Sequence, residues 1–345
     1  MTRLRVLHLV DDTTAGGVTQ VLTHIMTAPA LSENADHSLR CVDRGRVRPE
    51  RMNADVIVSH LAISWRALPM LVALRLAYPR TPLIHVEHSY TEHFTKHNVT
   101  HKRRFAILLR TAYALFDKVV AVSHAQGAWL VHSGAIRRKT LKVIQSCVDL
   151  CAFRALPAPT GPVRVIGAIG RLDPQKGFDV LVQAFRQTTN PDIALHIYGE
   201  GSEESALRAL AGSDTRIQFK GFAPDPVAAM AAIDAVAMPS RWEAYGLVAL
   251  EALAAKRPLL VNGIDGLCDH VTAGAKVVAQ QDSRTWQHAI EALTQADALP
   301  LRPPLEESEL PEDRFDTGWK ALLDEVTARH VRQKKRTSRE AVCLR

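Results

Sequence analysis

The fold is decided by the stretch VRVIGAIGRLDPQKGFDVLVQAFRQ, residues 163–187. Its first six residues form an apolar run typical of a buried strand, and Gly177–Gln187 repeats apolar side chains at helical spacing. The loop between them carries Arg171 and Lys176. Two cations at the carboxyl end of a strand suit a diphosphate, because arginine can bond two oxygens at once and lysine adds a point charge. The alternative is a solvated loop that holds two basic residues.

The same alternation of strand, loop and helix extends in both directions from this stretch. The predicted upstream strands are Arg5–Val10, Val56–Ser59, Pro82–Val86 and Lys118–Val122. The predicted downstream strands are 193–198, 217–220, 235–238 and 259–261, with helices at 177–187, 203–211, 227–232 and 247–255. Such alternation predicts an α/β chain whose parallel sheets are covered by helices.

A linker divides the chain into two such blocks. Residues 156–162, LPAPTGP, contain three prolines and one glycine. We therefore predict two α/β domains, 1–157 and 158–314, and a C-terminal segment 315–345 with a helix near 316–330 and a frayed or disordered basic tail. Ligands of parallel sheets bind at the carboxyl ends of the strands, so we expect a ligand in the cleft between the domains.

Charge and composition narrow the class of protein. The chain has 345 residues, 47% hydrophobic and 23% charged, which excludes disorder along its whole length. Its formal net charge of +7 is unevenly spread. Residues 1–150 hold 20 Lys and Arg against 11 Asp and Glu, while residues 96–118 and 331–345 each hold six basic residues and one acid. A basic surface can serve nucleic acid, an anionic membrane or an anionic substrate.

Cysteine spacing and hydropathy bear on the compartment. The five cysteines show no CxxC or metal-binding spacing, which predicts a reducing environment without a disulfide framework. The apolar run ending at Val10 is too short for a signal peptide, and no stretch approaches 18 uncharged apolar residues. We predict a cytoplasmic protein that is at most peripheral on the inner face of the plasma membrane.

Two more loops follow predicted strands. Gly16 and Gly17 open a helix after the first strand, where a bare backbone can approach a ligand and the helix N-terminus favours an anion. In MPSRWEAYGLVALEALA, residues 238–254, Glu243 lies in the loop and Glu251 lies within a helix that begins near Tyr245. Such carboxylates can accept sugar hydroxyls or a ribose diol. The structural alternatives are an ordinary Gly-Gly turn and two capping or exposed acids.

These loops together strongly resemble the retaining GT-B glycosyltransferases of family 4, also called glycosyl transferases group 1. The motifs GRLDPQKGF and Glu-x7-Glu carry the resemblance. Further elements agree in order, namely DVIVSH (55–60), AVSH (121–124), VIQSCVD (143–149), YGEGSE (198–203) and Gly221-Phe222. The resemblance covers nearly the whole chain. It implies two Rossmann-like domains facing a central cleft, with a C-terminal helix returning toward the N-terminal domain.

The resemblance implies donor-binding roles for the second half of the chain. Arg171 and Lys176 are similar to the pair that neutralises the donor diphosphate. Glu243 resembles the residue that holds the donor sugar, and Glu251 resembles the ribose ligand. Backbone amides around Glu243 are implied to assist it, and they belong to Ala244, Tyr245, Gly246 and Leu247.

Roles are also implied for the first half. Gly16 and Gly17 resemble the loop that closes on the diphosphate. His88 resembles the histidine that sits near the reacting sugar, and His60 is a second candidate. With 15 histidines in the chain, the alternative for each is a purely structural role.

The implied reaction is retaining transfer of a sugar from a UDP- or GDP-sugar to the hydroxyl of a glycan or lipid-linked acceptor. The expected products are cell-envelope glycans such as lipopolysaccharide, capsule, exopolysaccharide or glycolipid. Arg171, Lys176, Glu243 and His88 are the implied catalytic residues. No enzymatic nucleophile, metal or other cofactor is expected, and the sequence contains no Asp-x-Asp motif.

Three positions depart from the family pattern. Ser146-Cys147 stands where many relatives have Asn-Gly, Lys256 stands where they have glycine, and Val18–Gln20 replaces a common Glu-Arg after the two glycines. These departures put the fine shape of the donor and acceptor pockets in question more than the activity.

Residues 96–118 suggest a membrane contact. The cluster Lys102–Arg104 begins a segment with apolar residues at helical spacing, including Leu108, Leu109 and Ala112. We expect this segment to dock on an anionic membrane beside a lipid-linked acceptor. The alternative is a helix face that packs in the core while the basic cluster is solvated.

Two other function classes share some of these features. A related enzyme that is not a transferase, such as a nucleotide-sugar epimerase, would share the fold but not the combination of the Arg171–Lys176 and Glu243–Glu251 pairs. A nucleic-acid binder is suggested by the isoelectric point of about 9.3 alone. With 6% aromatic residues and no nucleic-acid-binding motif, no nucleic-acid partner is expected.

Overall fold

The structure is a computed structural model that describes residues 3–12, 16–43, 52–295 and 310–343, with side chains through residue 328. It divides into two compact units. Unit 1 is Met1–Tyr90, Asn98–Val148 and Glu306–Arg345, and unit 2 is Thr91–His97 and Asp149–Leu305. The boundary between Val148 and Asp149 lies before the predicted linker at 156–162, and the short segment 91–97 belongs to unit 2.

The secondary structure alternates as the sequence predicts. The strands are β1 (Leu4–Val10), β2 (Ala35–Cys41), β3 (Val56–Ser59), β4 (Leu83–Glu87), β5 (Lys118–Ala121), β6 (Leu141–Val143), β7 (Val165–Ile169), β8 (Ala194–Tyr198), β9 (Ile217–Gly221), β10 (Ala235–Met238), β11 (Leu259–Asn262) and β12 (Lys276–Val278). The α-helices are α1 (Gly17–Thr27), α2 (Pro29–Ser32), α3 (Leu68–Ala77), α4 (Glu92–Asn98), α5 (Lys102–Tyr113), α6 (His124–His132), α7 (Cys151–Arg154), α8 (Phe178–Arg186), α9 (Glu204–Ala211), α10 (Pro226–Ala231), α11 (Leu247–Ala254), α12 (Ser283–Gln295) and α13 (Pro311–Cys343). Two 3-10 helices span Pro174–Lys176 and Asp265–Ala273.

Unit 1 is built on a parallel sheet in the order β2-β1-β3-β4-β5-β6. Strands β3, β4 and β5 are buried along their whole length, as expected of a parallel sheet covered on both faces. The C-terminal helix α13 packs in this unit. Its Trp319 is buried with its ring 6.1 Å from that of His8, and Glu325 lies 2.7 Å from the ammonium of Lys118. The predicted return of the C-terminal helix to the N-terminal domain is confirmed.

Unit 2 repeats the architecture with the strand order β12-β11-β10-β7-β8-β9, again all parallel. Its core lies between the sheet and helices α8 and α12, where Phe185 and Trp286 are fully buried. Strands β7 and β10 are direct neighbours although 65 residues separate Ile169 from Ala235. Because both strands run in the same direction, the loops that follow them emerge side by side.

The C-terminal helix differs from the prediction. Helix α13 begins at Pro311 and continues to Cys343, so the expected start near Asp316 and the expected frayed tail after His330 are wrong. Proline suits the first position of a helix, and Glu312 and Asp313 in the first turn favour the helix dipole. The basic tail contains neither glycine nor proline up to Cys343 and is rich in helix-forming residues.

Helix α5 shows where the apolar stripe predicted within residues 96–118 packs. Leu108, Leu109 and Ala112 are buried in the core of unit 1, so the apolar stripe is a core face. Ile107 and the basic residues Lys102–Arg104 lie on the exposed side. Among the described helices, none is both long enough and apolar enough to cross a membrane.

Candidate functional site

The loop after β7 is held in a conformation that requires glycine. Gly177 joins the 3-10 turn at Pro174–Lys176 to helix α8 with a φ of 65°. A Cβ at this position would overlap the carbonyl oxygen of Pro239, on the loop after β10. Any other residue would therefore meet both backbone strain and a steric clash. The glycine lets the two loops touch.

Hydrogen bonds join the same two loops along their length. The Arg241 amide donates to the carbonyl of Gln175 at 2.7 Å, and the side-chain amide of Gln175 donates to the carbonyl of Trp242 at 3.0 Å. The guanidinium of Arg241 also reaches Asp179 at 2.6 Å. The backbones that carry the sequence-predicted residues are thereby positioned relative to one another.

Lys176 and Glu243 meet at this junction. The Lys176 ammonium lies 2.6 Å from the Glu243 carboxylate, and the two side chains are only 15% and 12% exposed. The hydroxyl of Ser240 lies 3.5 Å from the same carboxylate oxygen. Two residues predicted separately from sequence thus form one largely buried ion pair.

Arg171 is placed differently. Its side chain is 71% exposed and pairs with Asp173 at 3.2 Å and with Gln175 at 3.4 Å, both on its own loop. Among the described residues it has no ion pair with Glu243. Of the predicted cationic pair, only Lys176 is therefore built into the junction, whereas Arg171 extends toward solvent.

The start of helix α11 lies directly after Glu243. The helix begins at Leu247, where the predicted helix 247–255 also begins, with Gly246 as its N-cap and no side chain capping its first amides. Ala244 and Tyr245 are buried, and His270 lies 3.0 Å from the Tyr245 carbonyl. The uncapped amides at this end of the helix are suited to an anion.

Glu251 lies on the second turn of the same helix and is buried. Burial raises the pKa of its carboxyl group to about 7. The carboxyl group is therefore partly protonated near neutral pH. The two glutamates of the Glu-x7-Glu element have different electrostatic surroundings.

Asp265 supports this region, and sequence reasoning missed it. It is one of two described non-glycine residues with positive φ, at 40°. Its carboxylate accepts hydrogen bonds from the Thr91 hydroxyl at 2.6 Å and the Glu243 amide at 3.4 Å, and it lies 2.9 Å from His93 Nδ1. The only sequence signal is the Asp-Gly turn pair, which does not indicate these partners.

The N-terminal candidates lie in unit 1. Gly16 is the N-cap of α1 and Gly17 is its first residue, while residues 13–15 of the same loop lie outside the described residues. His88 follows β4 and His60 follows β3. His88 Nε2 lies 2.8 Å from His60 Nδ1, so the structure brings both predicted histidines together.

Two family models match consecutive parts of the chain. "Glycosyltransferase Family 4" matches residues 14–151, and "Glycosyl transferases group 1" matches residues 163–296. The chain belongs to the family 4, group 1 glycosyltransferases. The family predicted from the two loops of unit 2 is confirmed.

The curated relatives that this family member resembles are also glycosyltransferases. It is 28% identical over 243 residues to a 2-deoxystreptamine glucosyltransferase of Streptomyces kanamyceticus, a match covering 64% of this chain and 62% of that protein. It is 36% identical over 162 residues to a D-inositol 3-phosphate glycosyltransferase of Corynebacterium urealyticum, covering 42% and 38%. The matched regions thus span less than two thirds of each relative.

Solved structures show the fold. Anabaena HepE, crystallised with UDP, superposes with a TM-score of 0.65 at 18% identity and covers 98% of this chain and 100% of its own. Sucrose-phosphate synthase from Thermosynechococcus elongatus superposes with a TM-score of 0.64 at 18% identity, covering 98% and 100%. This glycosyltransferase-family chain has the predicted GT-B fold with two Rossmann-like domains.

Proposed function

We propose that this protein is a retaining glycosyltransferase that moves a sugar from a nucleotide-sugar donor to an acceptor hydroxyl. The Lys176–Glu243 ion pair carries the proposal, because it places a cation and a carboxylate together at the carboxyl ends of neighbouring strands β7 and β10. Parallel α/β sheets bind their ligands at this edge. Family membership supports the reaction class.

Lys176 is the residue we assign to the donor diphosphate. Its charge is balanced by Glu243 in the structure, and an incoming diphosphate would compete for the ammonium and release the carboxylate. Glu243 would then be free to accept hydrogen bonds from the sugar hydroxyls. The exposed Arg171 would turn onto the diphosphate from its loop, since its partners among the described residues lie on that loop.

Helix α11 completes the donor site. Its uncapped N-terminal amides, including those near Gly246 and Leu247, would bind phosphate oxygens, and Glu251 would bind the ribose diol. Structures similar in fold are described with UDP and with UDP-glucose, so a uridine diphosphate sugar is the first donor to test. GDP-sugars are the second class.

The proposed mechanism relies on stabilising the leaving group. Positive charge from Lys176 and Arg171 would stabilise the departing nucleoside diphosphate. The acceptor hydroxyl would approach the sugar on the face from which the diphosphate leaves, which retains the anomeric configuration. Gly16 and Gly17 would contribute backbone amides to the diphosphate, and His88 would contact the sugar. No residue acts as a covalent nucleophile, and the mechanism uses no metal or other cofactor.

The acceptor is proposed to be a glycan or lipid-linked hydroxyl of the bacterial cell envelope, met at the inner face of the plasma membrane. Three large apolar side chains of unit 1 support a membrane contact, with exposed fractions of 42% for Trp65, 73% for Leu76 and 55% for Ile107. The Arg104 guanidinium lies 5.4 Å from the Trp65 ring centroid. Apolar and cationic groups side by side suit an anionic lipid surface.

A ligand screen tests the donor site. Thermal unfolding is measured with UDP-, GDP- and ADP-sugars for the wild type, Lys176→Ala, Glu251→Ala and the control Lys220→Ala, an exposed lysine of the same unit. Stabilisation by one nucleoside class, lost in the first two variants and kept in the control, is expected. Equal stabilisation of all four proteins would contradict the assignment. Product analysis by NMR then distinguishes retained transfer from inversion or epimerisation.

Vesicle flotation tests the membrane contact. Enrichment on anionic vesicles at low salt is expected and should fall at high salt. The variant Ile107→Ser with Trp65→Ser should reduce it, whereas Phe222→Ser, an exposed apolar residue of unit 2, should not. Absence of enrichment at low salt would reject the contact.

A further inference from the structure

Four histidines of unit 1 form one hydrogen-bonded chain across the sheet. His37 Nδ1 lies 3.0 Å from His8 Nε2, His8 Nδ1 lies 3.0 Å from His60 Nε2, and His60 Nδ1 lies 2.8 Å from His88 Nε2. Successive ring centroids are 5.3, 5.3 and 5.1 Å apart. The four residues lie on or directly after β2, β1, β3 and β4, which are consecutive in the sheet.

The register of the parallel strands explains why the four histidines lie in a row. His37 pairs with Val6, two residues before His8, and His8 in turn pairs with Val58, two residues before His60. Side chains two residues apart on a strand share a face. Each histidine therefore lies on the same face as the previous one and one step closer to the carboxyl ends of the strands, where the chain ends at His88.

The four imidazoles are neutral at physiological pH. Burial lowers the pKa of His8 to about 3 and the pKa values of His37 and His88 to about 4. Burial, with the neighbouring histidines, also lowers the pKa of His60 well below its usual value. A neutral imidazole has one N–H donor and one bare acceptor nitrogen. All three hydrogen bonds must therefore run in the same direction.

Only two arrangements meet this condition. Either every histidine carries its proton on Nε2, or every histidine carries it on Nδ1. The His37 end of the row of histidines distinguishes the two arrangements, because His37 Nε2 is buried without a hydrogen-bond partner among the described residues. Buried N–H donors are less readily left unpaired than acceptors. The bare nitrogen therefore belongs at His37 Nε2, and the protons belong on the four Nδ1 atoms.

The turn that carries His88 is held independently. The Glu87 carboxylate accepts hydrogen bonds from the amides of Ser89 and Tyr90 at 2.8 and 2.9 Å, and from the Tyr113 hydroxyl at 2.6 Å. The backbone on both sides of His88 is thus fixed. The remaining variable at His88 is which ring nitrogen holds the proton.

We infer that His8 and His60 are positioning residues that fix His88 as the Nδ1–H tautomer, because no described acceptor lies at the His37 end of the row. His88 then presents a hydrogen-bond donor, not a base, at the end of β4. That this donor serves an oxygen of the bound sugar rests on the proposed function. The tautomer itself is a property of the free protein and can be measured without substrate.

The test is long-range 1H–15N NMR of histidine side chains in the full-length protein at pH 8. In the wild type all four histidines are expected as the Nδ1–H tautomer, favoured at least about fivefold over the other. His37→Asp places a carboxylate acceptor beside His8 Nε2. Each remaining histidine should then reverse to Nε2–H, including His88 three imidazoles away.

Two controls accompany this variant. His37→Leu removes the end residue without adding an acceptor and should leave His88 as Nδ1–H, and so should His132→Leu, an exposed histidine of the same unit. An Nε2–H tautomer for His88 in the wild type, or an unchanged His88 in His37→Asp, would overturn the inference. Residue 37 is partly exposed and lies at one end of the row of histidines, so the fold should survive both substitutions.

Activity separates this inference from the proposed function. If sugar transfer occurs, kcat should fall at least about tenfold in His37→Asp with little change in the KM for donor, and His37→Leu should stay near wild type. A wild-type protein with the expected tautomers and no transferase activity would overturn the proposed function while leaving the tautomer assignment intact. Reversed tautomers with unchanged kcat would overturn the role of the donor in transfer.

Discussion

The Lys176 ammonium and the Glu243 carboxylate lie 2.6 Å apart, although 66 residues separate them in the chain. The pair is largely buried and joins the loops after β7 and β10. A buried ion pair is most sensitive to the loss of one partner, because the other charge is then left uncompensated. This property makes the pair accessible to measurement without any ligand.

A double-mutant cycle should reveal this coupling. Lys176→Met and Glu243→Gln are each expected to lower the free energy of unfolding by about 1–3 kcal/mol, and the double variant by less than their sum. Urea unfolding measures all four proteins. Lys220→Met serves as the control and should change stability by less than about 0.5 kcal/mol. Strict additivity would mean that the two side chains do not interact in solution.

Gly177→Ala should be strongly destabilising. The alanine would adopt a left-handed conformation and its Cβ would overlap the Pro239 carbonyl. Gly161→Ala is the matched control, since Gly161 also has a positive φ of 79° but no atom of the described residues within 4 Å of an added Cβ. We expect about 1–2 kcal/mol from backbone strain alone at Gly161 and a clearly larger loss at Gly177. Equal losses in urea unfolding would show that the loops after β7 and β10 do not touch.

Glu251→Gln should gain stability over the wild type as pH rises. The folded-state pKa of Glu251 is raised to about 7 from an ordinary value of 4.5. Between these values the folded protein holds a proton that the unfolded chain has lost, so stability falls as pH rises. The loss is complete above about pH 7 and amounts to about 3 kcal/mol.

Unfolding of wild type and Glu251→Gln at pH 4.5 and pH 8 measures this difference. We expect the variant to be the more stable protein at pH 8 by up to that amount, with the advantage absent at pH 4.5. Glu291→Gln, on α12 of the same unit, provides the control and should show no such trend. A constant difference at both pH values would contradict the raised pKa.

Acid should destabilise the protein through the histidine chain. Burial holds the pKa values of His8, His37, His60 and His88 below the ordinary 6.5, so the unfolded chain binds protons first as pH falls. Stability is therefore lost from about pH 6.5 downward toward pH 3–4. One such histidine contributes a slope of up to about 1.4 kcal/mol per pH unit.

The slope of unfolding free energy between pH 6.5 and 5 measures the effect. The wild type should exceed the single-histidine slope, and His37→Leu should lower it. His132→Leu, which removes an exposed histidine, should not change it. If His37→Leu and wild type share one slope, His37 is not buried as a neutral group.

Much of the site could be predicted from local patterns. Apolar runs followed by glycine-containing loops located β7 and β10, and the family resemblance then assigned Lys176, Glu243 and Glu251. The patterns did not show that Lys176 pairs with Glu243 while Arg171 stays exposed. That outcome depends on strands β7 and β10 being neighbours, and strand order is not encoded in the periodicity of either strand.

The role of Asp265 and the row of histidines could not be predicted either, because both depend on residues that are distant in the sequence. Asp265 could not be singled out as a site residue, because its partners Thr91, His93 and the Glu243 amide are distant from it in the sequence. His8 was predicted only as a residue of the strand Arg5–Val10, and no strand was predicted around His37. Their chain with His60 and His88 arises from the register of four parallel strands.

The sequence by itself determined the α/β class, the two repeated blocks, the family and the loops that hold the candidate donor site. Hydrophobic periodicity and turn residues act over a few neighbouring positions, so they are legible along the chain. Only the tertiary structure decided which side chains meet. Lateral hydrogen bonding between distant strands placed Lys176 against Glu243 and aligned three histidines behind His88.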